Sequence, residues 1–225
     1  MPDNEPNLTP LQRERRKRIL DTVRDQLSKN GYDGINMRDL AAAAKVSPTT
    51  LYNLYENKDA LILSALQDQL ARIGRSVATS PAHGLDWMLE SNQAVARQLV
   101  ETPQWAAAIT RLLVQAKPED PITRTLMVDG AGALAESLQA MIAARELSAE
   151  TDIGSLQNSI TGAGWAAIIM WTKDIITLQD LPREYLRVRM YPLLATATPK
   201  LRRRLAHEFV VIADNPLGRS KRKTG

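Results

Sequence analysis

Cysteine is absent from the 225 residues, which removes disulfides, thiolate metal sites and cysteine-based redox sensing together. Phenylalanine occurs once, at Phe209, and aromatic residues make up 4% of the chain, so a pocket of stacked phenylalanine rings is excluded. The two histidines, His83 and His207, lie far apart with no partner at metal-ligand spacing and read as solvated side chains. No apolar run approaches the eighteen or so residues of a membrane-spanning helix. The first ten residues, MPDNEPNLTP, are polar and carry three prolines; without an apolar stretch they read as a disordered segment, not a secretory signal. A cytoplasmic location is the expectation. G-x-S-x-G, P-loop and dinucleotide fingerprints are all missing, so neither an enzyme nor a cofactor is expected. Gly130–Ala131–Gly132 and Gly162–Ala163–Gly164 sit inside helical patterns, where close helix packing accounts for them.

What is present is apolar residue in quantity, 44% of the chain, enough for a sizeable core. The net charge of +4 is unevenly spread. Residues 1–60 hold ten Lys/Arg and nine Asp/Glu, whereas residues 199–225 hold eight and two. The basic excess therefore lies at the C-terminal end.

Apolar residues recur at helical spacing almost throughout, and no alternating strand pattern of useful length occurs, so the class is all-α. Arg13, Arg15, Arg16, Lys17 and Arg18 open a helix that runs to about Lys29, with Ile19, Leu20, Val23 and Leu27 as its stripe. Gly31 suits its left-handed end. Further helices are expected over 58–77, 85–101, 104–115, 121–145, 153–178, 182–199 and 200–214, punctuated by Ser80–Pro81, Thr102–Pro103, Lys117–Pro118 and Leu181–Pro182.

Between the first two of these long helices, Asn36–Lys58 reads NMRDLAAAAKVSPTTLYNLYENK. Asn36 is placed to cap a short helix with Asp39 at its positive end, and Ser47 to cap a second that starts on Pro48. Val46, Leu51 and Leu54 can turn inward along the second helix, leaving Thr49, Thr50, Tyr52, Asn53 and Tyr55 mainly outside. An uncharged helix dense in hydroxyl and amide groups has the surface of a major-groove reader.

Gly31–Tyr32, Met37–Arg38–Asp39–Leu40–Ala41, Val46–Ser47, Leu51–Tyr52, Tyr55 and Lys58–Asp59–Ala60–Leu61 follow one another in an order that resembles the DNA-binding domain of the TetR family of transcriptional regulators. The resemblance spans about Arg15 to Leu66, roughly a quarter of the chain. It implies a disordered segment (1–10), a three-helix head with a helix-turn-helix (11–57), a connecting helix (58–80), a larger helical regulatory and dimerisation domain (81–215), and a basic disordered tail (216–225). It also implies a homodimer on a palindromic double-stranded DNA operator, released by an unidentified small molecule that tilts the connecting helix. Groove and nearby phosphate contacts then fall to Arg38, Thr49, Thr50, Tyr52 and Asn53, and backbone contacts to Ser47, Tyr55, Lys58 and Arg15, Arg16, Lys17 and Arg18. The tail cluster Arg219–Lys223 could touch flanking phosphates. Three positions depart from the family: Lys45 and Thr49 stand where it commonly has glycine, and Tyr55 where it commonly has phenylalanine.

The resemblance also places an effector among the middle helices, where Trp87, Met88, Trp105, Met127, Met141, Trp165 and Met170 are large and soft enough to line an apolar pocket. The last two helices of the family plan would pair across a twofold axis through Ile160, Gly164, Ile168, Tyr185, Val188 and Leu193. An ordinary intramolecular core is the competing account of both sets. A ligand-binding or adaptor protein that keeps the fold without operator-specific DNA binding stays open as the alternative.

Overall fold

A computed structural model describes residues 8–78, 81–129 and 131–218. Among them the chain is helical, and the one strand-like pairing is an isolated bridge between Leu147 and Ala197. Two compact units divide the chain, Met1–Ala71 and Arg72–Gly225.

In the first unit, α1 spans Pro10–Asn30. It begins three residues before the basic cluster because Thr9 and Gln12 cap it reciprocally: Gln12 N–H donates to Thr9 Oγ1 (3.3 Å) and Thr9 N–H to Gln12 Oε1 (2.8 Å). The expected disordered segment 1–10 thus ends inside this cap, and residues 1–7 lie outside the described residues. The predicted stripe Ile19, Leu20, Val23 and Leu27 is buried. Two short helices follow, α2 (Met37–Ala43) and α3 (Pro48–Leu54). Asn36 accepts the Arg38 N–H at 2.8 Å and Ser47 the Thr50 N–H at 3.0 Å, the two predicted caps. Asn57 starts α4 (Lys58–Ala78) by accepting the Ala60 N–H at 2.9 Å. Arg24 ties α1 to α4, its guanidinium 3.2 Å from the Ala65 carbonyl and 3.1 Å from the Asp68 carboxylate.

The second unit contains α5 (Gly84–Glu101), α6 (Pro103–Gln115), α7 (Pro121–Arg124), α8 (Ala131–Ala143), α9 (Ile153–Thr172), α10 (Leu181–Met190) and α11 (Pro199–Asp214). Its core is drawn from most of them: Leu85 and Met88, Leu138 and Met141, Ile160, Leu186 and Met190, and Leu201 and Leu205 are each 1% exposed or less. Helix α10 packs most extensively on α9 and next on α5, and α5 packs on α8.

Three predicted helices are shorter or interrupted. The expected helix over 121–145 widens into a π-helical turn at Thr125–Asp129 before α8 begins. Helix α9 stops at Thr172 rather than near residue 178, because Asp174 adopts a left-handed conformation (φ 57) and Ile175 N–H turns back to Met170 O at 2.9 Å. Helix α10 gives way at Met190 to a 3-10 turn over Tyr191–Ala195, with Pro192 inside it. The C-terminal segment is held at first: Arg97 donates to Leu217 O at 2.8 Å. Residues 219–225, including the basic cluster, lie outside the described residues.

The left-handed turn recurs. Lys45 (φ 54) after α2 and Arg145 (φ 54) after α8 match Asp174 after α9. Each next residue reaches five back, Val46 N to Ala41 O, Glu146 N to Met141 O and Ile175 N to Met170 O, all at 2.9 Å. This is the Schellman ending, which glycine adopts without strain and other residues at roughly 1 kcal/mol or more. Lys45 therefore keeps the turn that a glycine would make, at a cost, and the turn itself is unchanged.

Candidate nucleic-acid interface

Helix α3 is seven residues long, so its exposure pattern depends on about two turns. Leu51 is fully buried and anchors the inner side. Thr49, Tyr52 (49% exposed) and Asn53 lie outside, as predicted from their spacing. Thr50 is partly buried, its hydroxyl 2.8 Å from Ser47 Oγ, so Ser47 and Thr50 share one small capping network.

Two residues exchange sides relative to the sequence reading. Leu54, expected inside, is 46% exposed, and Tyr55, expected outside, is 9% exposed. The helix ends between them: Tyr55 is the C-cap, with extended backbone (φ −141, ψ 111). An extended residue at that point no longer follows the helical rotation from which the sides were read. Burial raises the Tyr55 hydroxyl's pKa above the usual tyrosine value, offset in part by the Arg16 guanidinium that hydrogen-bonds it.

That bond changes the reading of the basic cluster. Arg18 Nε donates to the Ala44 carbonyl at 2.8 Å, just before the left-handed Lys45. Arg16 and Arg18 thus hold the ends of α3 and α2 respectively, and position the helix-turn-helix from α1. Lys17 pairs with Asp21 at 2.7 Å with its side chain 70% exposed, so its ammonium can exchange that partner for a phosphate. Arg15 is partly buried at the same end of α1. On α2, Arg38 is exposed and its guanidinium bonds to nothing among the described residues. Sequence alone carries no sign that Arg16 and Arg18 serve the fold, because Tyr55 and Ala44 meet them only in three dimensions.

Lys58 opens α4 against the α1–α2 loop. Its ammonium donates to the Tyr32 carbonyl at 3.1 Å and lies 3.8 Å above the Tyr32 ring. The Tyr32 hydroxyl in turn donates to Asp59 at 2.5 Å, and this bond, with burial, pushes its pKa up to about 12. A lysine uses at most three N–H donors, so Lys58 retains donors for a phosphate while it holds the loop. The surface so built is an uncharged polar strip on α3 with a free guanidinium on α2 beside it in sequence. It can donate to and accept from base edges, and its cations can sit on phosphates.

In the second unit, Met88 (1% exposed), Trp105 (5%) and Met141 (0%) are core residues, and Trp87 and Trp165 pack partly buried against the core. Met127 and Met170 are exposed. The residues expected at a twofold interface are largely used inside the chain. Ile160, Ile168, Tyr185 and Leu193 are buried, Val188 is partly buried, and a Cβ at Gly164 would come within 3.2 Å of Tyr185. Helices α9 and α10 bury these faces on their neighbours, and Ser155, Asn158, Ser159, Gly162 and Ala166 are exposed on α9. His83 and His207 are exposed, and no group of three or more His, Asp or Glu suited to a metal occurs among the described residues. No helix there is long and apolar enough to cross a membrane.

Residues 19–65 match the model of the bacterial regulatory proteins of the tetR family. The chain is similar to the transcriptional repressor KstR of Rhodococcus jostii (strain RHA1), 33% identical over 127 residues that cover 56% of this chain and 58% of that one. The match thus spans less than two thirds of that relative's length. A TetR-family transcriptional regulator from a Rhodococcus species shares the fold, with a TM-score of 0.64 at 23% identity over 81% of this chain and 96% of its own. So does a gamma-butyrolactone receptor described as ArpA-like, with a TM-score of 0.61 at 18% identity over 91% and 97%.

Proposed function

We propose that the chain is a TetR-family transcriptional regulator, a reading supported by the match of residues 19–65 to that family's model, and that it represses transcription as a homodimer bound to a palindromic DNA operator. The family is a group of regulators rather than enzymes, and a cytoplasmic location accords with such a role. In this reading residues 11–57 bind DNA, 58–80 connect, and 81–215 bind the effector and the second protomer. The observation that carries the proposal is the outer strip of α3, Thr49, Tyr52 and Asn53, set on a fully buried Leu51 with Arg38 exposed one helix earlier. Rigid anchoring from within and uncharged hydrogen-bonding groups without are what direct reading of base edges needs. Arg15, Lys17 and Lys58 supply phosphate contacts, while Ser47, Tyr55, Arg16 and Arg18 act by holding the reading helix in place.

Release follows from linkage. An effector that fits one arrangement of the regulatory helices better than another shifts the population toward it, and one that fits both equally does nothing. The gamma-butyrolactone receptor among the structural neighbours is a protein of this fold whose name records a small ligand. Titration of the purified protein against the DNA upstream of its own coding sequence tests the core of the proposal. A sequence-specific complex is expected, weakened by about 1–3 kcal/mol in Tyr52→Ala. A protein that keeps the fold without operator specificity is the second reading, favoured by the near balance of ten basic and nine acidic residues over 1–60. It predicts equal affinity for specific and random DNA at one stated salt concentration.

A further inference from the structure

A charged group sits in the second unit without a counter-charge. Arg189, on α10, is partly buried, and its guanidinium makes no ion pair among the described residues. Its two fixed partners are neutral: Nε donates to Asn92 Oδ1 on α5 at 2.7 Å, and Nη1 reaches the Ile160 carbonyl on α9 at 3.3 Å. The Tyr185 ring lies beside it, 5.4 Å from the guanidinium carbon. The neighbouring arginines of the same helix differ: Arg183 pairs with Asp180 at 2.7 Å, and Arg187 lies 3.8 Å from Glu184.

Two features look built for this arginine. Gly164 leaves the space it occupies, since a Cβ there would come within 2.8 Å of Arg189 Nη1 and 3.1 Å of its Cδ. Asn92 is 3% exposed, and its Nδ2 is buried without a hydrogen-bond partner. Exchanging the amide's oxygen and nitrogen does not repair this, because a guanidinium cannot accept and Oδ1 must face it. The network therefore contains only surplus donors: the Asn92 amide N–H groups, and the guanidinium N–H groups left over once Asn92 and Ile160 are bonded. What such a set lacks is an anionic acceptor. A carboxylate matches the planar Nη1–Nη2 edge with two parallel hydrogen bonds.

The geometry points to Arg189 as the anchor for an organic carboxylate in the regulatory unit, with Asn92 as the residue that positions its guanidinium. This rests on the effector reading above and narrows the ligand class to small molecules carrying a carboxylate. Gly164 on one side and the Tyr185 ring on another hold the guanidinium in place, so it presents a fixed fork rather than a mobile cation.

The test uses the full-length protein without DNA, at constant ionic strength. Linear carboxylates from acetate to dodecanoate, and benzoate, are titrated calorimetrically beside the amides of the same acids. At least one acid is expected to bind tighter than its amide by about tenfold or more, the scale of hydrogen bonds to a charged group. Arg189→Gln should abolish that preference, and Arg183→Gln, a half-buried cation of the same helix already paired with Asp180, should keep it. Asn92→Asp places a carboxylate inside the network, so it should raise the thermal midpoint and suppress acid binding. No acid preferred over its amide, a preference that survives Arg189→Gln, or one lost equally in Arg183→Gln overturns the assignment. Release of operator DNA is measured separately. An acid that binds through Arg189 without releasing DNA sinks the effector reading and leaves the anchor standing. Release by neutral molecules, with no acid bound, does the reverse.

Discussion

The two units secure their helices differently. All four helices that start in the first unit begin on a side-chain cap: Thr9, Asn36, Ser47 and Asn57 each accept a backbone N–H. In the second, α5, α6, α7, α10 and α11 start with no side-chain capping bond, and among the helix starts described α9 alone has one, the Ser155 N–H donating to Asp152 Oδ1 at 3.1 Å. Caps act within three residues and are specified locally. Helices without them depend on burial against neighbours, and burial can be redistributed when a ligand or a partner changes those neighbours. A locally specified head suits a part that must present one fixed surface, and a packing-specified body suits a part that switches.

The contrast breaks most visibly at the caps. Ser47→Ala removes the Thr50 capping bond and the Thr50 hydroxyl contact, and a loss of about 1–2 kcal/mol is expected in chemical denaturation. His83→Ala, at the start of α5, should change stability by less than about 0.5 kcal/mol, because its side chain caps nothing. Equal losses at the two positions would remove the distinction between the units.

Lys45→Gly works in the opposite direction. It relieves the left-handed strain at the turn while adding freedom to the unfolded chain, for a net gain of about 0.5–1 kcal/mol. Since the turn already has the glycine-like geometry, operator affinity should stay unchanged. A fall in affinity would mean that the lysine side chain itself touches DNA.

The smallest effect is at Tyr32. Its hydroxyl donates to Asp59, which raises its pKa in the folded state to about 12 from an ordinary value of 10. The protonated form is favoured by folding, so the stabilisation is complete below about pH 10 and is lost as pH rises from 10 to 12. The stability difference between the protein and Tyr32→Phe should shrink across that window. A difference independent of pH would mean that the Asp59 bond contributes nothing.

How far the sequence could be read follows the same division. Asn36, Ser47 and Pro48 mark the starts of α2 and α3, at Met37 and Pro48, because caps and first-turn prolines act locally. The bounds failed where structure answers to packing: the π-helical turn at Thr125–Asp129, the early end of α9 at Asp174 and the 3-10 turn after Met190 have no local marker that outweighs an apolar helical pattern. Within the candidate interface, Thr49, Tyr52 and Asn53 were legible from helical rotation. Leu54 and Tyr55 were not: the extended C-cap turns Tyr55 inward, and Leu54 is exposed in the last turn of α3. The family resemblance assigns Arg16 and Arg18 to the DNA backbone, and their bonds to Tyr55 and Ala44 exist only once α1 lies across the other two helices. Ile160, Tyr185 and Leu193 looked like an interface because apolar helix faces read alike whether they meet their own chain or another.

The central claim is that α3 reads base edges with uncharged groups on a rigidly held helix. Its most direct measurement is the ratio of affinities for the upstream operator and for random DNA of equal length, at a single salt concentration, in the protein and in Tyr52→Ala. The account predicts a ratio of about a thousand or more in the protein, reduced about tenfold or more by the substitution, with random-sequence affinity unchanged. A ratio near one in the protein, or a high ratio that Tyr52→Ala leaves intact, would contradict it.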